Sequence, residues 1–254
     1  MLGEILTATR RRIAALAASP AAIATERPDA ARNLGAALAA PGLQVIAEIK
    51  RRSPSVGPIA PGLDPVAQAR AYLEGGAAAI SVLTEPDFFG GSLDDLRAVR
   101  AAVPLPVLRK DFILDPLQVD EAAAAGADAL LLIVATLGPD RLQELLAASA
   151  AAGIEALVEI HDAAELAVAN RAGASIIGVN NRDLRTFVTD LATAEGLAAA
   201  IRPGAVKVAE SGVGSAAGAA RMAAAGYDAV LVGEAAVRSG DPARFVASLR
   251  QVAP

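Results

Sequence analysis

One pattern constrains this chain more than any other: an alternation of strand-like and helix-like runs that fills the sequence from residue 44 onward. Strand-like runs cover residues 44–50, 78–84, 106–110, 129–133, 155–160, 176–180, 206–210 and 229–233. Helix-like runs cover 65–74, 92–102, 116–125, 139–152, 162–172, 191–201, 215–225 and 242–249. A strand that returns to its sheet through a helix lies parallel to its predecessor, with a right-handed crossover. Eight such units predict an α/β fold closed into a (β/α)8 TIM barrel, with its working face at the C-terminal ends of the strands. An open doubly wound sheet fits less well, because no Gly-rich dinucleotide loop follows the first strand.

The punctuation agrees with this reading. Pro65, Pro116, Pro139 and Pro242 fall in first turns, where a missing N–H costs nothing, and Asp64, Asp115 and Asp241 stand where they can cap. Before the repeating body, Leu2, Ile5, Leu6, Thr9, Ile13 and Leu16 share one helical face, and Arg10, Arg11 and Arg12 read as a solvated face. Ser19-Pro20 ends that helix, and Pro28-Asp29 can start a second, to about Leu38. Residues 1–42 are thus expected to be a helical extension, forming one domain with a barrel over 43–254.

The strand ends carry the chemistry. The first strand closes in Glu48-Ile49-Lys50, an acid and a base on one face, and the pattern returns elsewhere. Lys110 shares a face with Leu108, Glu159 with Leu157, Asn180 with Gly178 and Glu210 with Val208. In a barrel these faces can all point inward, so Glu48, Lys50, Lys110, Glu159, Asn180 and Glu210 would ring one mouth. Such a mixture of ammonium and carboxyl groups suits proton transfer, because neighbours and burial pull each group's acidity in opposite directions. After the last two strands, Glu210-Ser211-Gly212-Val213-Gly214 and Val232-Gly233-Glu234-Ala235-Ala236 read as a phosphate cradle, with Lys50 and Ser53 close by. Phe89, Phe112, Leu131 and Leu184 are candidates for an apolar wall. Arg182 either binds an anion or pairs with Asp183 or another carboxylate, and His161 reads as a loop or helix-start residue.

Composition narrows the choice. The 254 residues include no cysteine and one histidine, which removes thiol nucleophiles, thiolate metal sites and a His-rich centre. A net charge of -5 argues against nucleic acid as the main partner. No run is apolar enough to cross a membrane, so the chain is read as a cytoplasmic protein with no membrane partner. A monomer is compatible with the sequence, which leaves oligomeric state open.

Taken together, Ile46-Ala47-Glu48-Ile49-Lys50-Arg51-Arg52-Ser53-Pro54-Ser55, Ser81-Val82-Leu83-Thr84-Glu85, Leu108-Arg109-Lys110-Asp111-Phe112, Leu157-Val158-Glu159, Gly178-Val179-Asn180-Asn181-Arg182-Asp183-Leu184 and Ala209-Glu210-Ser211-Gly212 resemble indole-3-glycerol phosphate synthase. Val56 departs from that pattern, where a basic residue commonly follows Ser-Pro-Ser; the change bears on loop closure or phosphate affinity. The resemblance implies a phosphorylated small-molecule substrate, 1-(2-carboxyphenylamino)-1-deoxyribulose 5-phosphate, closed to indole-3-glycerol phosphate with loss of CO2 and water. It implies no metal or organic cofactor. It further implies Lys110 as general acid, Lys50 as holder of carboxylate or phosphate, and Glu159 as stabiliser of a cationic intermediate, base or relay. Glu48 would orient Lys50 or take a proton, while Asn180, Glu210 and Ser211 would position the ribulose and the charges around it. Gly212, Gly233 and the Glu234 N–H would bind phosphate, and Phe89, Phe112, Leu131 and Leu184 would sandwich the aromatic ring. The rival readings are an isomerase like phosphoribosylanthranilate isomerase and a non-catalytic phosphometabolite-binding barrel.

Overall fold

The computed structural model describes residues 1–19, 27, 29–54, 56–183 and 188–251. Its eight parallel strands are β1 (Gln44–Ile49), β2 (Ala79–Leu83), β3 (Val107–Lys110), β4 (Ala129–Ile133), β5 (Glu155–Ile160), β6 (Ile176–Asn180), β7 (Val206–Glu210) and β8 (Ala229–Val232). Each pairs with its neighbours in sequence, and β1 pairs with β8, closing the barrel. The predicted strands are all present, within a residue or so at each end.

The two-residue period of the strands separates two cores. Ile46, Leu108, Leu131, Leu157, Ile176, Val208 and Leu231 fill the barrel interior. Val45, Ile80, Leu130, Val158, Ile177 and Val230 point outward and pack under the helices. With both faces covered, the strands have little room for polar residues except at their ends. The polar strand ends therefore mark a place where packing alone does not set the sequence.

Capping explains most helix starts. Asp64, Asp115 and Asp241 accept hydrogen bonds from first-turn N–H groups, as do Ser92, Asp162 and Ser215. Two barrel helices differ from expectation, and two more were not expected. Residues 139–152 belong to a helical stretch beginning at Val134, broken where Gly138 takes a left-handed φ of 72° ahead of Pro139. The run expected over 191–201 is an α-helix only over Ala192–Leu197, tightening to a 3-10 turn over Ala198–Ala200. Two short helices, Pro86–Phe89 and Glu234–Arg238, follow β2 and β8.

The extension reaches both ends of the barrel. Helix α1 (Leu2–Ala18) lies at the C-terminal mouth, where its first residues border the cavity described below. Helix α2 (Leu34–Leu38) plugs the opposite end, with Leu34 and Leu38 fully buried in the interior core. The Gly35 N–H donates to Glu155 Oε2 at 3.0 Å. This second helix begins six residues later than the sequence suggests, because Asn33 caps it by accepting from the Ala36 N–H; Pro28 itself lies outside the described residues. The backbone and side chain of Arg32 are used for anchoring instead. Its N–H donates to buried Asp128 at 2.8 Å, and its guanidinium donates to the carbonyls of Val103 and Leu105 at 2.7 and 2.6 Å.

Candidate active site

At the C-terminal mouth the predicted ring assembles. Glu48, Glu159, Asn180 and Glu210 are buried, and Lys50 and Lys110 are nearly so. Lys110 Nζ lies 3.3 Å from Glu159 Oε2 and 3.7 Å from Glu210 Oε2. Asn180 Nδ2 donates to the other Glu159 oxygen at 3.1 Å. Across the mouth, Lys50 Nζ pairs with Glu48 Oε1 at 2.8 Å, and Ser81 Oγ donates to Glu48 Oε2 at 3.4 Å. Strand register sets these meetings. Glu159 stands level with Gly178, and Asn180 with Glu210. Two glycines make the room: a Cβ on Gly178 would overlap Glu210 Oε1, and one on Gly233 would come within 2.5 Å of Glu48 Oε1.

Burial and charge then sort the proton affinities. Burial alone would raise Glu48, but Lys50 and Lys110 outweigh it and hold the carboxyl below its usual range. Glu159 is held low in the same way, chiefly by Lys110. Burial would lower the Lys110 ammonium; the carboxylates of Glu159, Glu210 and Glu48 reverse this and raise it well above the ordinary lysine value. Glu210 is the exception. Burial and the neighbouring Glu159 charge push it up to about 8, against Lys110. At neutral pH the cluster thus contains a charged Lys110, an ionised Glu159 and a Glu210 that keeps its proton. Glu210 Oε1 is buried with no hydrogen-bond partner among the described residues.

The cavity over this ring is lined by Phe89, Phe112, Leu83, Leu131, Ile133 and Pro54 on its apolar side. The Phe89 and Phe112 rings stand 6.3 Å apart, tilted by 40°. Ser53 and Arg182 line it too. A second groove joins it through Lys50, Glu48, Arg182 and Ser211, and is walled by Gly212, Val213, Gly214, Gly233, Glu234 and Ala235. Ser211 is the one non-glycine residue among those described with a left-handed φ, 63°, where β7 turns into this groove. Strain of this kind is kept where surrounding structure holds it for use. Leu184 lies outside the described residues. Arg182 donates from Nε to Thr189 Oγ1 at 3.2 Å, bracing the loop after β6. Among the described residues no group of three or more His, Asp or Glu side chains is placed to hold a metal ion.

Three features were not read from the sequence. Met1, Leu2 and Ile5 of α1 line the same cavity. Arg12 is not a solvated residue like Arg10 and Arg11: it faces the barrel and pairs with Glu85 and Asp111. His161 sits behind the ring, with Nε2 3.4 Å from Glu159 Oε1 and Nδ1 3.1 Å from Glu165 Oε2. The signal for Arg12 was its place on α1, one helical step from the apolar stripe; the signal for His161 was its spacing of two from Glu159 on one strand end.

A proton-transfer cluster at the mouth of a closed barrel, set between an aromatic cleft and a glycine-lined groove, defines the class: a (β/α)8-barrel enzyme acting on a phosphorylated small molecule. Solved structures with this fold include 3-hexulose-6-phosphate synthase from Salmonella typhimurium, at a TM-score of 0.67 and 18% identity over 82% of this chain and 97% of that one. Thiamine phosphate pyrophosphorylase from Pyrococcus furiosus superposes at 0.63 with 19% identity, covering 86% and 96%. The sequence is more particular. Residues 2–249 match the family model for indole-3-glycerol phosphate synthase. The chain is 53% identical to indole-3-glycerol phosphate synthase 2 of Streptomyces coelicolor over 94% of its length and 93% of the relative's. It is equally similar to indole-3-glycerol phosphate synthase of Parafrankia sp. (strain EAN1pec), over 95% and 90%. The chain belongs to the indole-3-glycerol phosphate synthase family.

Proposed function

We propose that this chain converts 1-(2-carboxyphenylamino)-1-deoxyribulose 5-phosphate to indole-3-glycerol phosphate, a step of tryptophan biosynthesis. The observation that carries the reading is the Lys110–Glu159–Glu210 cluster lying between a cleft with two phenylalanines and a glycine-lined groove. An anthranilate ring fits the cleft, a phosphate fits the groove, and the ketone that must react falls between them.

The chemistry follows from that placement. The ring carbon bearing the carboxylate attacks the C2′ ketone, and the new alkoxide takes a proton from Lys110. The ring is now cationic, and ionised Glu159 lies beside it, held by Asn180. Loss of CO2 returns an electron pair to the ring. Dehydration then needs an acid for the departing hydroxyl and a base for a C1′ proton; Glu159 takes the proton, and Lys110 or the neutral Glu210 supplies the acid. Lys50, oriented by Glu48, holds the substrate carboxylate or phosphate, with Ser53 and Arg182 beside it. Ser211 positions the ribulose, and backbone N–H groups around Gly212, Gly233 and Glu234 bind the phosphate. Phe89, Phe112 and Leu131 hold the aromatic ring. Each residue supplies binding, orientation or a proton at a stated atom, and the atoms balance as substrate minus CO2 and water.

The test is direct. Mixed with the anthranilate-ribulose phosphate, the protein should produce indole fluorescence and CO2. The chain has no Trp and two Tyr, so the product signal has little background. No indole at saturating substrate refutes the reading.

A further inference from the structure

Arg12 lies outside the barrel, on α1, and reaches across 73 and 99 residues of sequence to two buried carboxylates at the mouth. Nη1 is 3.1 Å from Glu85 Oε1, and Nη2 is 3.2 Å from Asp111 Oδ1 and 3.1 Å from Thr9 Oγ1. What matters is what those carboxylates hold. Glu85 accepts the N–H groups of Asp87, Phe88 and Phe89 at 3.2, 2.7 and 3.1 Å, so it caps the short helix that carries Phe89 into the cavity. Asp111 Oδ1, the oxygen that Arg12 touches, accepts the Phe112 N–H at 2.8 Å. One guanidinium therefore joins the two acids that grip the backbones of the two facing aromatic residues.

The partners are not equivalent. Asp111 has other support, from Thr84 Oγ1 at 2.7 Å and Arg109 at 3.4 Å. Glu85 is fully buried, and Arg12 is its only cationic partner among the described residues. Without Arg12 the Glu85 carboxylate would be a buried charge balanced only by backbone dipoles, a condition that a protein relieves by moving the group or admitting water. Either response shifts Phe89. The same loss removes a tie between the barrel and α1, the helix whose Met1, Leu2 and Ile5 line the cavity. The groove near Gly212 and Gly233 shares none of these contacts.

We propose that Arg12 is a positioning residue for the substrate's aromatic end, fixing the Phe89–Phe112 cleft through Glu85 and Asp111 while leaving the phosphate end untouched. This rests on the functional reading above. Its chemical content is specificity: the guanidinium sets how well the pocket holds an anthranilate-like ring, a planar aromatic amine carrying a carboxylate.

The experiment compares wild type with Arg12→Met and Arg12→Lys, using two fragment probes. Anthranilate reports the aromatic end, and inorganic phosphate reports the phosphate end; both are titrated by calorimetry. Losing one such clamp should weaken anthranilate binding and raise substrate KM in Arg12→Met by roughly tenfold, with kcat changed less than KM. Phosphate affinity should stay within about twofold of wild type, and Arg12→Lys should recover part of the loss, since an ammonium can satisfy one acid but not bridge two. A loosened fold would weaken both probes together, and that parallel loss overturns the proposal. Unchanged anthranilate binding in Arg12→Met also overturns it. If Arg12→Met does not fold, the comparison rests on Arg12→Lys, where unequal loss at the two ends supports the proposal and equal or absent loss overturns it. Wild-type turnover separates the two levels: failure to make indole refutes the functional reading, while the fragment titrations judge Arg12 independently.

Discussion

Replacing Lys110 by Met keeps the length and apolar stem of the side chain and deletes one charge from between two acids. At neutral pH, Glu210 is already protonated, since it is pushed up to about 8. The charge left without its partner is therefore Glu159 alone. Breaking a buried pair costs about 3–5 kcal/mol, and here Asn180 and His161 still face Glu159, which can also take up a proton. The loss should fall at the low end, about 3 kcal/mol, a melting shift of about 6–12 °C in a chain of this size. The effect on catalysis should be larger. A missing acid–base group typically removes about 10²–10⁴ in turnover, or about 2.7–5.4 kcal/mol of barrier. Indole fluorescence measures turnover and a circular dichroism melt measures stability, on one preparation. The variant should melt as a single folded species, bind inorganic phosphate like wild type and turn over at least a hundredfold more slowly, the scale set by that proton transfer. Turnover within about tenfold of wild type, in a protein shown to be folded, refutes Lys110 as the proton donor.

Three further outcomes follow from the same geometry. The folded value of Glu210 lies above its ordinary 4.5, so its contribution to stability is complete below pH 4.5 and is lost as pH rises toward about 8; Glu210→Gln should flatten that decline in urea midpoints taken between these limits, and an unchanged slope would contradict the assignment. Burial would lower the His161 imidazole, yet Glu165 and Glu159 raise it, so its stabilising charge is present below pH 6.5 and is lost as pH climbs through the higher folded value. Since that charge also helps keep Glu159 ionised, His161→Asn should move the acid limb of the kcat profile to higher pH, and a superimposable profile would exclude the coupling. Gly178→Ala drives a methyl into Glu210 Oε1 and crowds Leu157, so turnover should drop at least about tenfold with about 1–3 kcal/mol of overpacking strain; full turnover would mean that the position of Glu210 does not matter.

The barrel was legible because its signals are local. Periodicity, Asp-Pro starts and glycine stops lie within a few residues of the elements they define, and β4 through β7 fall where the pattern puts them. The ring was legible for a related reason: a strand buried on both faces has no packing use for Glu159 or Lys110, so a charge at its end stands out. The Arg12 contacts were not legible, because they join residues 73 and 99 apart, and no window along the chain contains both partners. A run of three arginines reads as one solvated face, although helical geometry turns successive side chains by about 100° and only one of the three meets the barrel. The short helix Pro86–Phe89 did leave a trace, since Glu85 before Pro86 is a cap followed by a first-turn proline. The late start of α2 was decided by Asn33 and Asp128, and the second of these is a tertiary partner.

The plug formed by α2 carries a consequence for how the protein comes into being. Gly35 meets Glu155 and Ile176, and Leu34 and Leu38 share the interior core with Ile176, side chains that leave the ribosome more than a hundred residues later. The segment made before the barrel is thus among the last to find its place, because the socket it fills does not exist until β5 and β6 have been translated and have paired. Closure of so distant a contact is slow, and apolar surface waits in the meantime. Growth conditions that lengthen the wait should load this chain onto chaperones, with Leu34 and Leu38 as the exposed bait, and polar substitutions there should harm the yield of the folded enzyme before they harm its chemistry.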